Sequence, residues 1–158
     1  SGTLPVTGGG LSPLPLAGIP PEMGDKVFTV GYPNLQIQGS APKYTEGVVS
    51  ALSGIRDDIR MMQITVPIQG GNSGGVLADA NGSAVGLVMS QLNAINVFKY
   101  TGNIPQNVNF AVKISYAQPL IQSVPGLSRR LAQQAGTRTR VNPVKAVEAA
   151  TGLVIVYE

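Results

Sequence analysis

The chain has 158 residues, 20 Gly and 12 Pro, with a net charge of +3, 43% hydrophobic and only 12% charged residues. That composition excludes a disordered chain or a coiled coil, and the length suits one domain with a tail. There is no Cys and no His, which excludes disulfides, thiolate chemistry and any imidazole catalysis completed by these residues alone.

Residues 1–24 open Gly/Pro/Leu-rich and without periodicity, which predicts an extended lead-in or linker. From Asp25 short apolar stretches recur between turn residues: Lys26–Gly31, Gly47–Leu52, Met61–Val66, Gly75–Ala78, Ala84–Met89 and Val108–Val112. Val, Ile and Thr dominate them and none is long enough for a good helix, so six strands are expected. Asp79-Ala80-Asn81-Gly82 carries the signal of a tight hairpin, which also accounts for the sequon-like Asn81-Gly82-Ser83. Closely spaced short strands suggest an antiparallel barrel or sandwich.

Helical signals come later. Ser115 followed by Gln118 reads as a capping box opening a helix to about Gln122, bent or shortened by Pro119. Ser128 to Gly136 reads as a second weak helix. Asn142-Pro143 reads as an N-cap and first helical residue, with Gly152 as the stop and Leu153–Tyr157 as a last strand. Residues 124–158 thus form a tail, free to pack on the barrel or to extend a neighbour's sheet. Its bases Arg129, Arg130, Arg138, Arg140 and Lys145 fall in 17 residues without an acid. No aromatic side chain interleaves them, so a solvated surface is expected and nucleic acid is not. No apolar run approaches twenty residues, and no membrane span is expected.

Chemistry concentrates in Gly71-Asn72-Ser73-Gly74-Gly75. A serine between glycines suits an acyl-transfer nucleophile: a glycine before it lets the Gly71 and Ser73 amides point at one spot, where an oxyanion would sit. Glycines after it leave room for substrate backbone. A Gly-rich hairpin loop with an incidental serine is the bland alternative on these five residues.

In order and spacing, several segments resemble the second, C-terminal barrel of trypsin-like serine proteases, in particular the HtrA/Deg-like branch. They are Gly24–Pro33 (GDKVFTVGYP), Glu46–Leu52 (EGVVSAL), Met62–Thr65, the GNSGG at Gly71–Gly75, Asn81–Leu87 (NGSAVGL) and Asn109–Val112 (NFAV). The resemblance spans roughly Leu14 to Leu120. It implies an all-β fold, a single six-stranded antiparallel barrel over residues 25–123 with a C-terminal helix and tail. It also implies Ser73 as nucleophile and the Gly71 and Ser73 amides as oxyanion hole, with no cofactor and no metal.

By the same resemblance the catalytic His and Asp lie on a first barrel, so the expected partners are that first lobe and a peptide or unfolded-protein substrate. The chain is expected to begin about where the loop after that Asp would lie. Asn72 stands where many secreted relatives have an Asp that pairs with a newly cut N-terminus, so an activation switch of that kind is not expected. The specificity pocket is expected to be lined by Pro67, Ile68, Ser90 and Asn109. With no carboxylate at Pro67, a buried Lys or Arg substrate side chain would lack a charged partner. The branch implies a periplasmic or secreted protein. A non-catalytic pseudoprotease or peptide-binding module is the alternative, and a Ser–Lys arrangement using Lys113 has no support in spacing.

Overall fold

The computed structural model describes residues 12–89, 108–127, 129 and 142–152. Six strands form a closed antiparallel barrel: β1 (Lys26–Gly31), β2 (Lys43–Ala51), β3 (Met61–Ile64), β4 (Val76–Asp79), β5 (Ala84–Val88) and β6 (Asn109–Lys113), in the order β1-β2-β3-β6-β5-β4. Closure comes from β1 and β4, where Val27 faces Asp79 and Phe28 faces Ala78.

Side-chain alternation gives the barrel two apolar faces. Inward, Val27, Val49, Met62, Ile64, Val66, Leu77, Val85 and Ala111 fill the interior. Outward, Phe28, Val30 and Ala78 form a second cluster that the tail covers. That is why β1 reads as a continuous apolar run: it is buried on both sides.

β2 begins at Lys43, four residues before the expected start at Gly47. Lys43-Tyr44-Thr45-Glu46 is polar, yet it pairs with β1 from Gly31 to Phe28, and the Tyr44 ring lies 5.4 Å from that of Phe28. Two short elements were not expected, α1 (Leu35–Gln38) and a 3-10 turn at Ile55–Asp57. Pieces this short show no periodicity, and their marker is backbone, with Asn34, Arg56 and Asp57 all at positive φ. At the β4–β5 hairpin Asp79 Oδ1 accepts from the amides of Asn81 and Ser83, with Gly82 at φ +80.

Ser115 does not cap a helix. Ile114–Ala117 is a 3-10 turn, and α2 (Gln118–Ser123) follows it with Pro119 in its first turn and no side-chain cap. α3 (Pro143–Ala150) starts as its sequence predicts, Asn142 Oδ1 accepting from Val144 N at 2.9 Å. It packs back on the barrel, its Val147 fully buried against Phe28, Val30 and Ala78. Of the expected lead-in, residues 12–17 also lie on the barrel. Ala17 N donates to Ala84 O at 2.9 Å, Ala84 N to Pro15 O at 2.8 Å, and Ser12 N to Ala149 O at 3.1 Å.

The helix expected at 128–136 lies outside the described residues but for Arg129, and the strand at 153–157 lies wholly outside them. Among the described residues no helix is long and apolar enough to cross a membrane.

Candidate active site

The segment between β3 and β4 builds the site. Val66 and Ile68 turn into the barrel core, and a tight turn follows in which Asn72 N donates to Gln69 O at 3.1 Å. Gly71, third in that turn, has φ +103, a conformation L side chains rarely adopt. Its preceding peptide is held from outside, because Gly70 O accepts from Asn34 N at 3.0 Å. In a trans peptide the C=O and N–H point in opposite directions, so the Gly71 N–H faces away from Asn34.

Downstream the loop is tied to the sheet. Gly75 N donates to Asn72 O at 3.0 Å, Gly74 N to Val88 O at 2.9 Å and Val88 N to Gly75 O at 2.8 Å, while Thr29 Oγ1 donates to Val76 O at 2.8 Å. Between these anchors Ser73 is exposed. Among the described residues neither its amide nor that of Gly71 has an acceptor within the chain, and its hydroxyl is unpaired. An exposed hydroxyl in the same loop as the unpaired Gly71 and Ser73 amides suits acyl transfer, in which those amides would meet a developing oxyanion.

Asn72 is 3% exposed, with its carboxamide oxygen unpaired and packed over Gly31. Ser73 opens on a cleft of about 750 Å³ lined mainly by apolar surface. Val30, Gly31, Tyr32, the Gly71–Val76 loop and Leu87 line it together with Ser12–Leu14 and Ala150–Gly152. Among the described residues no carboxylate, lysine or arginine lines it. The resolved pKa shifts fall on Tyr44, Asp58 and Arg60, none of which is on the cleft.

The structure therefore brings Gly71 and Ser73 together on one cleft. It does not put Pro67, Ile68 or Asn109 there. Pro67 is exposed. The Ile68 side chain is 3% exposed inside the barrel core, and not on an open pocket wall. Asn109 is 3% exposed, donating from Nδ2 to Val66 O at 2.8 Å, with its Oδ1 unpaired. Ser90 lies outside the described residues. Sequence reasoning missed Asn34, for which Pro33-Asn34 was a turn signal after a strand. It also missed that residues 12–14 and 150–152 share this cleft, because no local pattern joins them.

A closed six-stranded antiparallel barrel with a GNSGG loop between its third and fourth strands defines a trypsin-like architecture. Comparison with known proteins agrees: the profile of the trypsin-like peptidase domain matches residues 3–87. This chain belongs to that family. It is 45% identical over 92 residues to the uncharacterized protein y4bJ of Sinorhizobium fredii, covering 58% of this chain and 15% of that protein. It is 31% identical over 100 residues to the mouse peroxisomal leader peptide-processing protease, covering 63% of this chain and 17% of that protein. The human protein of the same name is 29% identical over 111 residues, covering 70% and 19%. The chain thus spans under a fifth of the length of each of these relatives. Among solved structures, a serine endoprotease from Yersinia pestis superposes with a TM-score of 0.52 at 24% identity, over 73% of this chain and 35% of that one. That likeness establishes the fold.

Proposed function

We propose that this chain is the nucleophile-bearing lobe of a serine endopeptidase, with the general base supplied from outside these residues. Ser73 Oγ attacks the scissile carbonyl carbon of an extended peptide, and its proton passes to a histidine oriented by an aspartate, as on the family's first barrel. The Gly71 and Ser73 amides donate to the tetrahedral oxyanion. Collapse of that intermediate breaks the C–N bond, and the histidine returns the proton to the leaving amine. Water then hydrolyses the acyl-serine by the same route.

One observation carries this reading: among the described residues Ser73 has an exposed, unpaired hydroxyl in one loop with the unpaired Gly71 and Ser73 amides, lining a cleft, in a chain of the trypsin-like peptidase family. The total lack of His in the chain is why the base is placed outside it. The HtrA/Deg-like resemblance supports an unfolded or extended peptide as substrate.

The test is to translate the reading frame upstream of Ser1 and to assay its full product for peptide hydrolysis. A His- and Asp-bearing barrel upstream, with hydrolysis abolished by Ser73→Ala, is the expected result. An active product indifferent to Ser73→Ala overturns Ser73 as the nucleophile, and one with no hydrolysis at all overturns the reading in favour of a binding module.

A further inference from the structure

Three residues at the end of α3, Ala150, Thr151 and Gly152, line the cleft on which Ser73 opens. The helix is anchored there by Val147, fully buried against the outer face of β1 and β4. Thr151 N donates to Glu148 O at 3.1 Å and Thr151 Oγ1 to Val147 O at 2.7 Å, which fixes the last turn. The chain therefore leaves α3 as part of the cleft wall. After Gly152 comes Leu153-Val154-Ile155-Val156-Tyr157, the longest uninterrupted apolar run in the sequence. Val and Ile favour extended backbone, in which such a run reaches about 17 Å at about 3.3 Å per residue.

The cleft itself lies where two strands part. β1 and β4 pair at Val27–Asp79 and Phe28–Ala78. Past those pairs the lining passes to Val30, Gly31 and Tyr32 on one side and to Gly75 and Val76 on the other. That surface is mainly apolar, and among the described residues no charged side chain lines it. At about 750 Å³ it falls within the range of ligand pockets, about 300–1,000 Å³. An apolar, uncharged occupant suits it.

We propose that Leu153–Tyr157 is the resident occupant of this cleft, lying extended beside Ser73 and competing with substrate. The tether decides between occupants. Gly152 is already in the lining, so the run meets the cleft as an intramolecular ligand, at the roughly millimolar effective concentration of a short linker. A separate peptide must match that concentration in solution and also give up its translational freedom. If the run is seated in about nine molecules of ten, the apparent KM rises about tenfold and kcat is untouched, because only the empty cleft takes substrate. Competition with substrate rests on the reading of Ser73 as nucleophile, but docking is open to test without catalysis.

The experiment has two arms. In the 13C-methyl-labelled chain of 158 residues, NOEs are sought from residues 153–157 to Val76 and Leu87, both of which line the cleft. Wild type should show them. Val154→Glu and Ile155→Glu lie on opposite faces of an extended segment, so one of the two puts a carboxylate against the apolar wall. That variant should lose the NOEs and shift the amides of Gly71–Val76, while thermal melts and exchange at the Val147 amide show that α3 stays packed. In the full product of the reading frame, the same variant should lower KM about tenfold with kcat within about twofold.

Absence of the NOEs in the wild type overturns the proposal, and so does a KM that neither variant lowers. NOEs that vanish on dilution, or that run only between differently labelled chains, overturn it in favour of a second copy as occupant. NOEs within one chain, in a product that never hydrolyses peptide, leave the occupant standing and overturn the proposed function instead.

Discussion

The carbonyl oxygen of Tyr32 stands where a side chain on Gly71 would have to go, with Pro33 Cα 3.1 Å from the same point. The end of β1 thus enforces glycine at the turn before the nucleophile, and φ +103 enforces it again. Gly71→Ala must push the turn off Tyr32 or change its φ, and either displaces the Gly71 amide. The expected outcome in the full product of the reading frame is a fall in kcat of about 10²–10³, the cost of one oxyanion donor. A destabilisation of about 1–3 kcal/mol should accompany it, from backbone strain. Steady-state kinetics and a urea melt check the two; unchanged kcat in a folded variant removes Gly71 from the oxyanion site.

α3 is not a free tail. Val147 is fully buried against Phe28, Val30 and Ala78, and Ser12 N bonds to Ala149 O at 3.1 Å, so the helix joins the lead-in and the barrel. Val147→Ala should destabilise the chain by about 2 kcal/mol, the transfer of two methyl-sized groups plus a residual cavity. Amide exchange distinguishes two outcomes. If α3 is an integral layer, protection falls in α3 and β1 together. Loss confined to α3 would show that the barrel keeps its outer face without it.

The β2–β3 loop carries an exposed ion pair whose pH dependence has a definite sign. Arg60 donates to both carboxylate oxygens of Asp58, and its side-chain hydrogen bonds hold that carboxyl at about 2, below the ordinary 3.8. A depressed carboxylate contributes stability above its unfolded pKa and loses it as pH falls through the folded one. The contribution is therefore present at neutral pH and lost between about pH 4 and pH 2, and it is small and salt-sensitive at an exposed site. Carboxyl NMR titration should find Asp58 near 2 in the wild type and back in the ordinary range in Arg60→Gln. A wild-type Asp58 titrating near 4 would show that the pair does not persist in solution.

Much of the barrel was legible because short apolar runs rich in Val and Ile recur between Gly, Pro, Asn or Asp. The start of β2 was not, since Lys43–Glu46 joins the sheet through backbone pairing and one ring contact with no apolar run to announce it. The Ser115 cap failed because the chain leaves β6 through a 3-10 turn, so the helix starts at Gln118 with Pro119 in its first turn. The Asn142 cap succeeded because Pro143 fixes the first helical φ and Asn142 needs only amides two and three residues ahead. The exposed turn at Gly71–Gly75 was legible from its glycines. Its surroundings were not: the Gly70 carbonyl accepts from Asn34, 36 positions earlier, and the cleft lining joins residues near both ends. Contacts over such separations leave no periodic trace.

The last prediction concerns these 158 residues alone: they should not hydrolyse peptides at a measurable rate, although Ser73 is exposed and, among the described residues, the Gly71 and Ser73 amides have no acceptor. A serine hydroxyl is a poor nucleophile near neutral pH until a base accepts its proton, and the chain has no histidine. Among the described residues no carboxylate or amine lines the cleft to stand in for one. In Ser–His–Asp proteases, loss of the histidine lowers kcat by roughly 10⁶, about 8 kcal/mol of barrier. What survives is a residual of about 10³–10⁴ over water from oxyanion donors and binding. A fluorophosphonate probe reads the nucleophile directly, since its phosphorylation also requires the hydroxyl proton to leave. Labelling of Ser73 should be orders of magnitude slower in the isolated chain than in the full product of the reading frame, and absent from both in Ser73→Ala. Equal rates in the two would place the base among these residues and overturn the division of the catalytic machinery between two lobes.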